Sequence, residues 1–213
     1  MIPQISFGGE TFYDISGIVT PNRYIRPITD GFALHHTAVH TSADTEDTEL
    51  QHIQGINQYH ITKGYGGFGY NAIVFPSGRV YTVGICEGAR AHVAGHNNHL
   101  AGFVLADDLT TNPVGLGLLL GGGRLLKALA VKYGSLSLKG HQEWVTDPPQ
   151  ATSCPGNRAM TVLGSFYTIA RALIDAENKS KIKEALREAY NNADLETLAK
   201  QIAYITGGRI CGG

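Results

Sequence analysis

The chain has 213 residues, 43% hydrophobic and 16% charged, enough apolar material to bury one full core with a small appendage. A net charge of −1 supplies no overall field toward nucleic acid or an anionic membrane, so any polyanionic partner must be gripped locally. Cys86, Cys154 and Cys211 are odd in number and widely spaced, which is no disulfide framework.

The first residues, MIPQISFGGETFYD, hold neither a basic n-region nor a long apolar run, and no later stretch has the length of a membrane span. The expectation is a protein made in the cytoplasm without a standard signal, not inserted in a membrane, and monomeric. Residues 1–30 carry Gly8, Gly9, Gly17, Pro21 and Pro27 among short apolar runs, which predicts an arm or hairpin lying on the domain. GFALHH at 31–36 reads as a buried strand. Neighbours on a strand face opposite ways, so only one of His35 and His36 points into a given site.

From Ser42 to Thr62, Leu50, Ile53, Ile56 and Tyr59 fall at helical spacing, and Gly64, Gly66 and Gly67 stop the helix. GYNAIVFPSGRVYTV, residues 69–83, is a hairpin: two β-rich runs flank Pro76, Ser77 and Gly78. A further strand is expected at 102–106. Between 113 and 133, Pro113 with Thr111 or Asn112 before it marks a helix start. Gly115, Gly117 and Gly121 to Gly123 each oppose helix by roughly 1 kcal/mol, so a helix is expected only over RLLKALAVKY. SLSLKG is then a short strand, 158–177 a closing helix, and 179–206 two short amphipathic helices before a glycine-rich end. LGLLLGGGR at 116–124 lacks the lysine and the serine or threonine that a phosphate loop needs.

The chemistry concentrates in GHQEWVTDPPQATSCPG, residues 140–156. It offers His141 and Cys154 across a segment that Pro148 and Pro149 keep from being one helix. Imidazole and thiolate suit zinc, and a catalytic zinc takes three protein ligands with a fourth position left for water. Nine histidines leave the third donor open on this reading alone. Glu143, two residues after His141, is a candidate acceptor to orient a ligand.

Four motifs in order, ALHHTA at 33–38, GYN at 69–71, HVAGHNN at 92–98 and GHQEW…TSCPG, resemble the zinc N-acetylmuramoyl-L-alanine amidases. That family includes phage lysozyme-type amidases and peptidoglycan recognition proteins. The likeness covers about residues 31–175. It implies an α/β fold, a central mixed β-sheet flanked by helices, with an arm at 1–30, an amidase domain at 31–178 and a helical extension at 179–213. It implies one zinc ion on His35, His141 and Cys154, leaving His36 as a core or supporting residue. It further implies a catalytic Tyr70, and Thr152 as a hydroxyl donor where relatives carry lysine or threonine. His92 and Asn97 match groove positions that contact substrate. LAGFVLADD at 100–108 departs from the family's usual strand, which leaves the groove on that side undefined.

The activity implied is hydrolysis of the bond between N-acetylmuramic acid and L-alanine in peptidoglycan, as a phage or prophage endolysin reaching the wall after release. Alternatives are a recognition module that binds muropeptide without cutting it, and a cytosolic amidase that recycles wall fragments. Noncatalytic relatives generally lack the cysteine ligand, which is kept here as Cys154.

Overall fold

The computed structural model of the protein describes residues 2–20, 30–84, 88–134, 137–145 and 151–175. A seven-stranded mixed sheet forms its centre, built from β1 (Gln4–Phe7), β2 (Glu10–Asp14), β3 (Gly31–His36), β4 (Ala72–Val74), β5 (Val80–Thr82), β6 (Leu100–Leu105) and β7 (Ser137–Gly140). The order across it is β1-β2-β5-β4-β6-β3-β7. β1–β2 and β4–β5 are antiparallel pairs, and the remaining neighbours run parallel.

Every residue of β3 and β6 is buried, which is why both read as apolar runs without alternation: helices cover both faces. On one face, α1 (Glu46–Thr62) sets Ile53 against Ile73, Phe75, Tyr81 and Val104. On the other, α2 (Leu116–Tyr133) and α5 (Leu163–Ile174) pack Leu118, Leu125, Phe166 and Ile169 on Phe32, Leu34 and Phe103. Burying each such side chain contributes roughly 1.5–3 kcal/mol. The short helices α3 (His141–Trp144) and α4 (Asn157–Thr161) lie in the segment that carries His141 and follow Cys154. α4 and α5 divide at Val162 the helix expected over 158–177.

The hairpin expected within residues 1–30 is β1–β2, and it is part of the sheet, because β2 pairs parallel with β5. Glu10 fastens it to α2 through Arg124 at 2.8 Å and Lys127 at 2.6 Å. α1 begins at Thr45, whose side chain accepts the Thr48 N–H in a capping box. One turn in, the wholly buried Glu49 carboxylate accepts from Ser77, Arg79 and Tyr81. A buried carboxylate is tolerated only when its oxygens are so satisfied, and this one ties α1 to the β4–β5 hairpin.

α2 corrects the reading that stopped at its glycines. The helix starts at Leu116 with Gly115 as N-cap, eight residues before the expected stretch. A Cβ on Gly117 would collide with the Pro76 carbonyl; on Gly121 it would meet Val80 at 3.3 Å, and on Gly122 Phe166 at 2.8 Å. The glycines let the helix axis come close to the hairpin turn and to α5, and the tight packing outweighs their propensity cost of roughly 1 kcal/mol each. The extension at 179–213, Cys86 and Cys211 lie outside the described residues. Among the described residues no helix is long and apolar enough to cross a membrane.

Two glycine substitutions should therefore move stability in opposite directions. Gly117→Ala forces a methyl against fixed backbone, and a loss of about 2 kcal/mol is expected. Gly164 of α5 has nothing within 4 Å of its would-be Cβ, so Gly164→Ala should gain up to about 1 kcal/mol. Urea denaturation midpoints of the two variants check this, and shifts of the same sign would refute the packing account.

Candidate metal centre

Strand register brings the first two donors together. β7 pairs with β3 in parallel, Gly31 opposite Ser137 through Leu34 opposite Gly140, so the next residue on each strand is His35 and His141. Their ring centroids lie 4.5 Å apart. β7 ends there because the Glu143 carboxylate accepts the Gly140 N–H at 2.7 Å, capping α3. Glu143 thus holds His141 through the backbone at the helix start.

The third donor arrives on the following loop. Gln142 N–H donates to the Cys154 carbonyl at 2.9 Å, and Cys154 N–H donates to the Thr152 hydroxyl at 3.1 Å, a local turn. Two glycines permit this docking. A Cβ on Gly140 would stand 2.8 Å from Pro155, and Gly156 takes φ 88 against the Leu109 carbonyl. Cys154 Sγ then lies 3.5 Å from His35 Nδ1, and one ligand atom from each of His35, His141 and Cys154 lies within 4.8 Å of the others. A tetrahedral ion with its nitrogen and sulfur ligands at usual distances separates them by about 3.6 Å. The trio therefore fits a divalent metal and leaves a coordination position over.

Burial sets the protonation of these groups. It lowers His35 well below the ordinary imidazole value, helped by the neighbouring His92 and His141, and it lowers His141 to about 4. Neutral imidazole is the form that binds metal. Burial also raises the Cys154 thiol to about 11, partly opposed by the backbone of His36. A bound cation must displace that proton.

Tyr70 is half-buried, its ring 5.1 Å from His35 and 5.4 Å from His60. Burial pushes its phenol above the usual range, so it stays a hydrogen-bond donor. Thr152 is half-buried beside Cys154, its hydroxyl oxygen accepting the Cys154 N–H and its hydroxyl proton without a partner among the described residues. His36 points to the opposite face from His35 and accepts the Leu109 N–H at 3.1 Å, bracing the turn after β6. Of the two residues that match groove positions, His92 is 8% exposed, and half-buried Asn97 accepts through Oδ1 from the backbone N–H of His92 and Val93, both at 2.8 Å. His92 Nδ1 lies 3.2 Å from His35 Nε2.

A groove of about 570 Å³ opens beside Tyr70, lined by Thr37 to Val39 and by His52, Ile56, Tyr59 and His60 of α1. His52 and His60 both belong to this wall. Their spacing with Ile56, four and eight residues along one helix, is the signal that marks a shared face. His60 is fixed there by accepting the Gly69 N–H at 2.9 Å, and Tyr59 leaves 57% of its surface exposed on the rim.

The family pattern Amidase_2, N-acetylmuramoyl-L-alanine amidase, matches residues 25–157. Comparison with curated proteins gives no match. Among solved structures, wild-type Drosophila PGRP-LB is similar with a TM-score of 0.61 and 20% identity, over 70% of this chain and 86% of that one. The N-acetylmuramoyl-L-alanine amidase LysC from Clostridium intestinale gives a TM-score of 0.51 and 21% identity, over 65% and 87%. Peptidoglycan recognition protein LE, in complex with tracheal cytotoxin, a monomeric diaminopimelic acid-type peptidoglycan, gives 0.58 and 21%, over 70% and 89%. At these identities the solved structures share the fold. The matched pattern runs from before β3 to just beyond Cys154, more than half of the sequence, and by it the chain belongs to the N-acetylmuramoyl-L-alanine amidase family.

Proposed function

We propose that this protein is a zinc amidase that hydrolyses the amide joining the lactyl group of N-acetylmuramic acid to L-alanine in peptidoglycan, acting as a lysin of phage or prophage type. The observation that carries the reading is the convergence of His35, His141 and Cys154 within 4.8 Å, a donor set that a binding module does not require. The family match supports the amide as the bond cut, and a similar fold binds a muropeptide in recognition protein LE.

Zinc, when bound, supplies Lewis acidity and a water that ionises near neutral pH. The chain's own residues do the rest. His35 and His141, kept neutral by burial, present lone pairs, and Cys154 adds a negative charge that moderates the site. Tyr70 keeps its proton and donates to the carbonyl oxygen as negative charge builds there; donors so placed contribute most when they are rigid and partly desolvated. The Thr152 hydroxyl, two residues before Cys154, is a second donor. The groove along α1 holds the substrate against this edge, with Tyr59 offering an apolar face. Water adds to the carbonyl carbon, the C–N bond breaks, and the products are a lactyl carboxylate and a peptide with a free L-alanine amine. A groove with an exposed rim suits a polymer, which favours whole wall over soluble fragments.

Cys154→Ser is expected to lose zinc and at least 100-fold in turnover, an estimate on the order of a lost ligand's contribution, while keeping the fold; metal analysis and digestion of peptidoglycan read both. Mass spectrometry should show intact glycan strands and new L-alanine amino termini. Binding without such products would select the recognition reading, and a preference for soluble muropeptides over sacculi would select recycling. Tyr70→Phe should lower kcat about 10–1000-fold at unchanged zinc content; wild-type kcat would remove Tyr70 from the reaction.

Acid acts through the same imidazoles. His141 protonates near pH 4 when folded, against a usual value of 6.5, so the unfolded chain binds the proton first. The stability of the metal-free protein is then complete above about pH 6.5 and falls as pH drops toward 4. Urea midpoints at pH 7 and pH 5 that coincide would contradict this.

A further inference from the structure

His92 is absorbed by none of the steps above, and its surroundings give it a defined task. Its Nε2 lies 3.2 Å from the Leu100 carbonyl oxygen. A carbonyl only accepts, so in a neutral ring the proton sits on Nε2 and Nδ1 is left as an acceptor. His92 Nδ1 is 3.2 Å from His35 Nε2, which must therefore carry the proton of that ring. The remaining nitrogen, His35 Nδ1, is a bare lone pair, and it is the atom 3.5 Å from Cys154 Sγ. We propose that His92 is a positioning residue: the relay from the Leu100 carbonyl through His92 fixes the tautomer and orientation of His35, so that Nδ1 faces the metal trio.

The seat for this ring is built from the backbone. A Cβ on Gly102 would stand 2.6 Å from His92 Cγ and 2.8 Å from Nδ1, so the imidazole lies against β6 only because residue 102 has no side chain. On the other side, Asn97 Oδ1 takes the N–H groups of both His92 and Val93 and turns the loop inward. The His92 and Asn97 of HVAGHNN thus form one device, with Asn97 shaping the loop and His92 aiming the ligand. With both ring nitrogens engaged inside the protein and the side chain buried, His92 has no donor or acceptor left for substrate. Partners of this kind commonly hold a metal-bound imidazole, with a carboxylate or carbonyl in the place His92 takes here.

The inference rests on the proposed metal site for its consequence, though not for its geometry, and two measurements on the full chain separate the two. In the metal-free protein, ¹⁵N shifts of the imidazoles should show His35 and His92 both protonated at Nε2. A proton on His35 Nδ1 overturns the proposal whether or not the protein binds zinc. Zinc dissociation constants from chelator competition then read the consequence. His92→Phe keeps the bulk and removes the acceptor, and affinity should fall about 10–100-fold. Gly102→Ala, which pushes the ring off its seat, should weaken binding in the same direction. His92→Asn places an amide oxygen near the position of Nδ1 and should stay close to wild type. Wild-type affinity in His92→Phe, or an Asn variant as weak as Phe, would overturn the positioning role. If His92→Phe fails to fold by its melting curve, Gly102→Ala and the ¹⁵N measurement decide. A wild-type protein that binds no zinc would sink the metal reading, and the tautomer result would still stand or fall by itself.

Discussion

The parallel pairing of β7 with β3 is the constraint on which the rest depends. It sets Leu34 opposite Gly140, and from that one register His35 and His141 become neighbours without any long-range contact between their side chains being needed to find each other. Because side chains alternate along a strand, a slip of one residue would turn His36 toward the α1 face and send His35 into the packed layer under α2. Both alternatives are costly. Leu34 and Phe32 would leave an apolar core that also holds Leu118, Phe103 and Phe166, and a buried imidazole would enter it unpaired. Core packing on one face of β3 thereby secures the placement of a metal donor on the other.

The two faces of the sheet are made by different physics. Under α2, close approach decides: Gly117, Gly121, Gly122 and Gly123 replace side chains with backbone contact to the hairpin turn, Val74, Phe166 and Ile169. Under α1, polar satisfaction decides. Glu49 is wholly buried yet receives three donors, and His35, His92 and Asn97 form a continuous set of bonds running into β6. Such a set is stable only when each member is satisfied, and the one ring nitrogen of His35 outside it, Nδ1, faces Cys154 Sγ at 3.5 Å. The chemistry sits at that end of the polar network.

Much of the site was legible in the sequence because its donor types are rare and its punctuation strong. His141 and Cys154 stand out beside two prolines, and the Pro76, Ser77 and Gly78 turn marks the hairpin. The N-terminal hairpin was legible as a hairpin, though its place in the sheet was not: pairing with β5 joins residues nearly seventy positions apart, Tyr13 to Tyr81. α2 was misread because helix propensity is a local quantity, whereas the gain from glycine lies in what approaches it. His60 was legible only through its helical spacing with His52 and Ile56, since the N–H that fixes it belongs to Gly69. His92 and Asn97 were placed on the groove by motif. Which way a loop turns its histidine depends on a glycine in the next strand, and nothing in HVAGHNN itself carries that information.

The adjacent histidines show how much one strand end supplies. His35 brings its side chain to the trio, its Nδ1 3.5 Å from Cys154 Sγ. The His36 ring meanwhile crosses to the other face and takes the Leu109 N–H, while the Leu109 carbonyl takes the N–H of Arg158, four residues past Cys154. β3 therefore grips the cysteine loop twice, once at the sulfur and once through the turn behind it. That double hold matters because the thiol, raised to about 11 by burial, resists ionising without a cation. The backbone of His36 partly opposes that rise, because an N–H near a sulfur favours the thiolate over the thiol, and the two holds keep Cys154 beside His35 for the cation that displaces its proton.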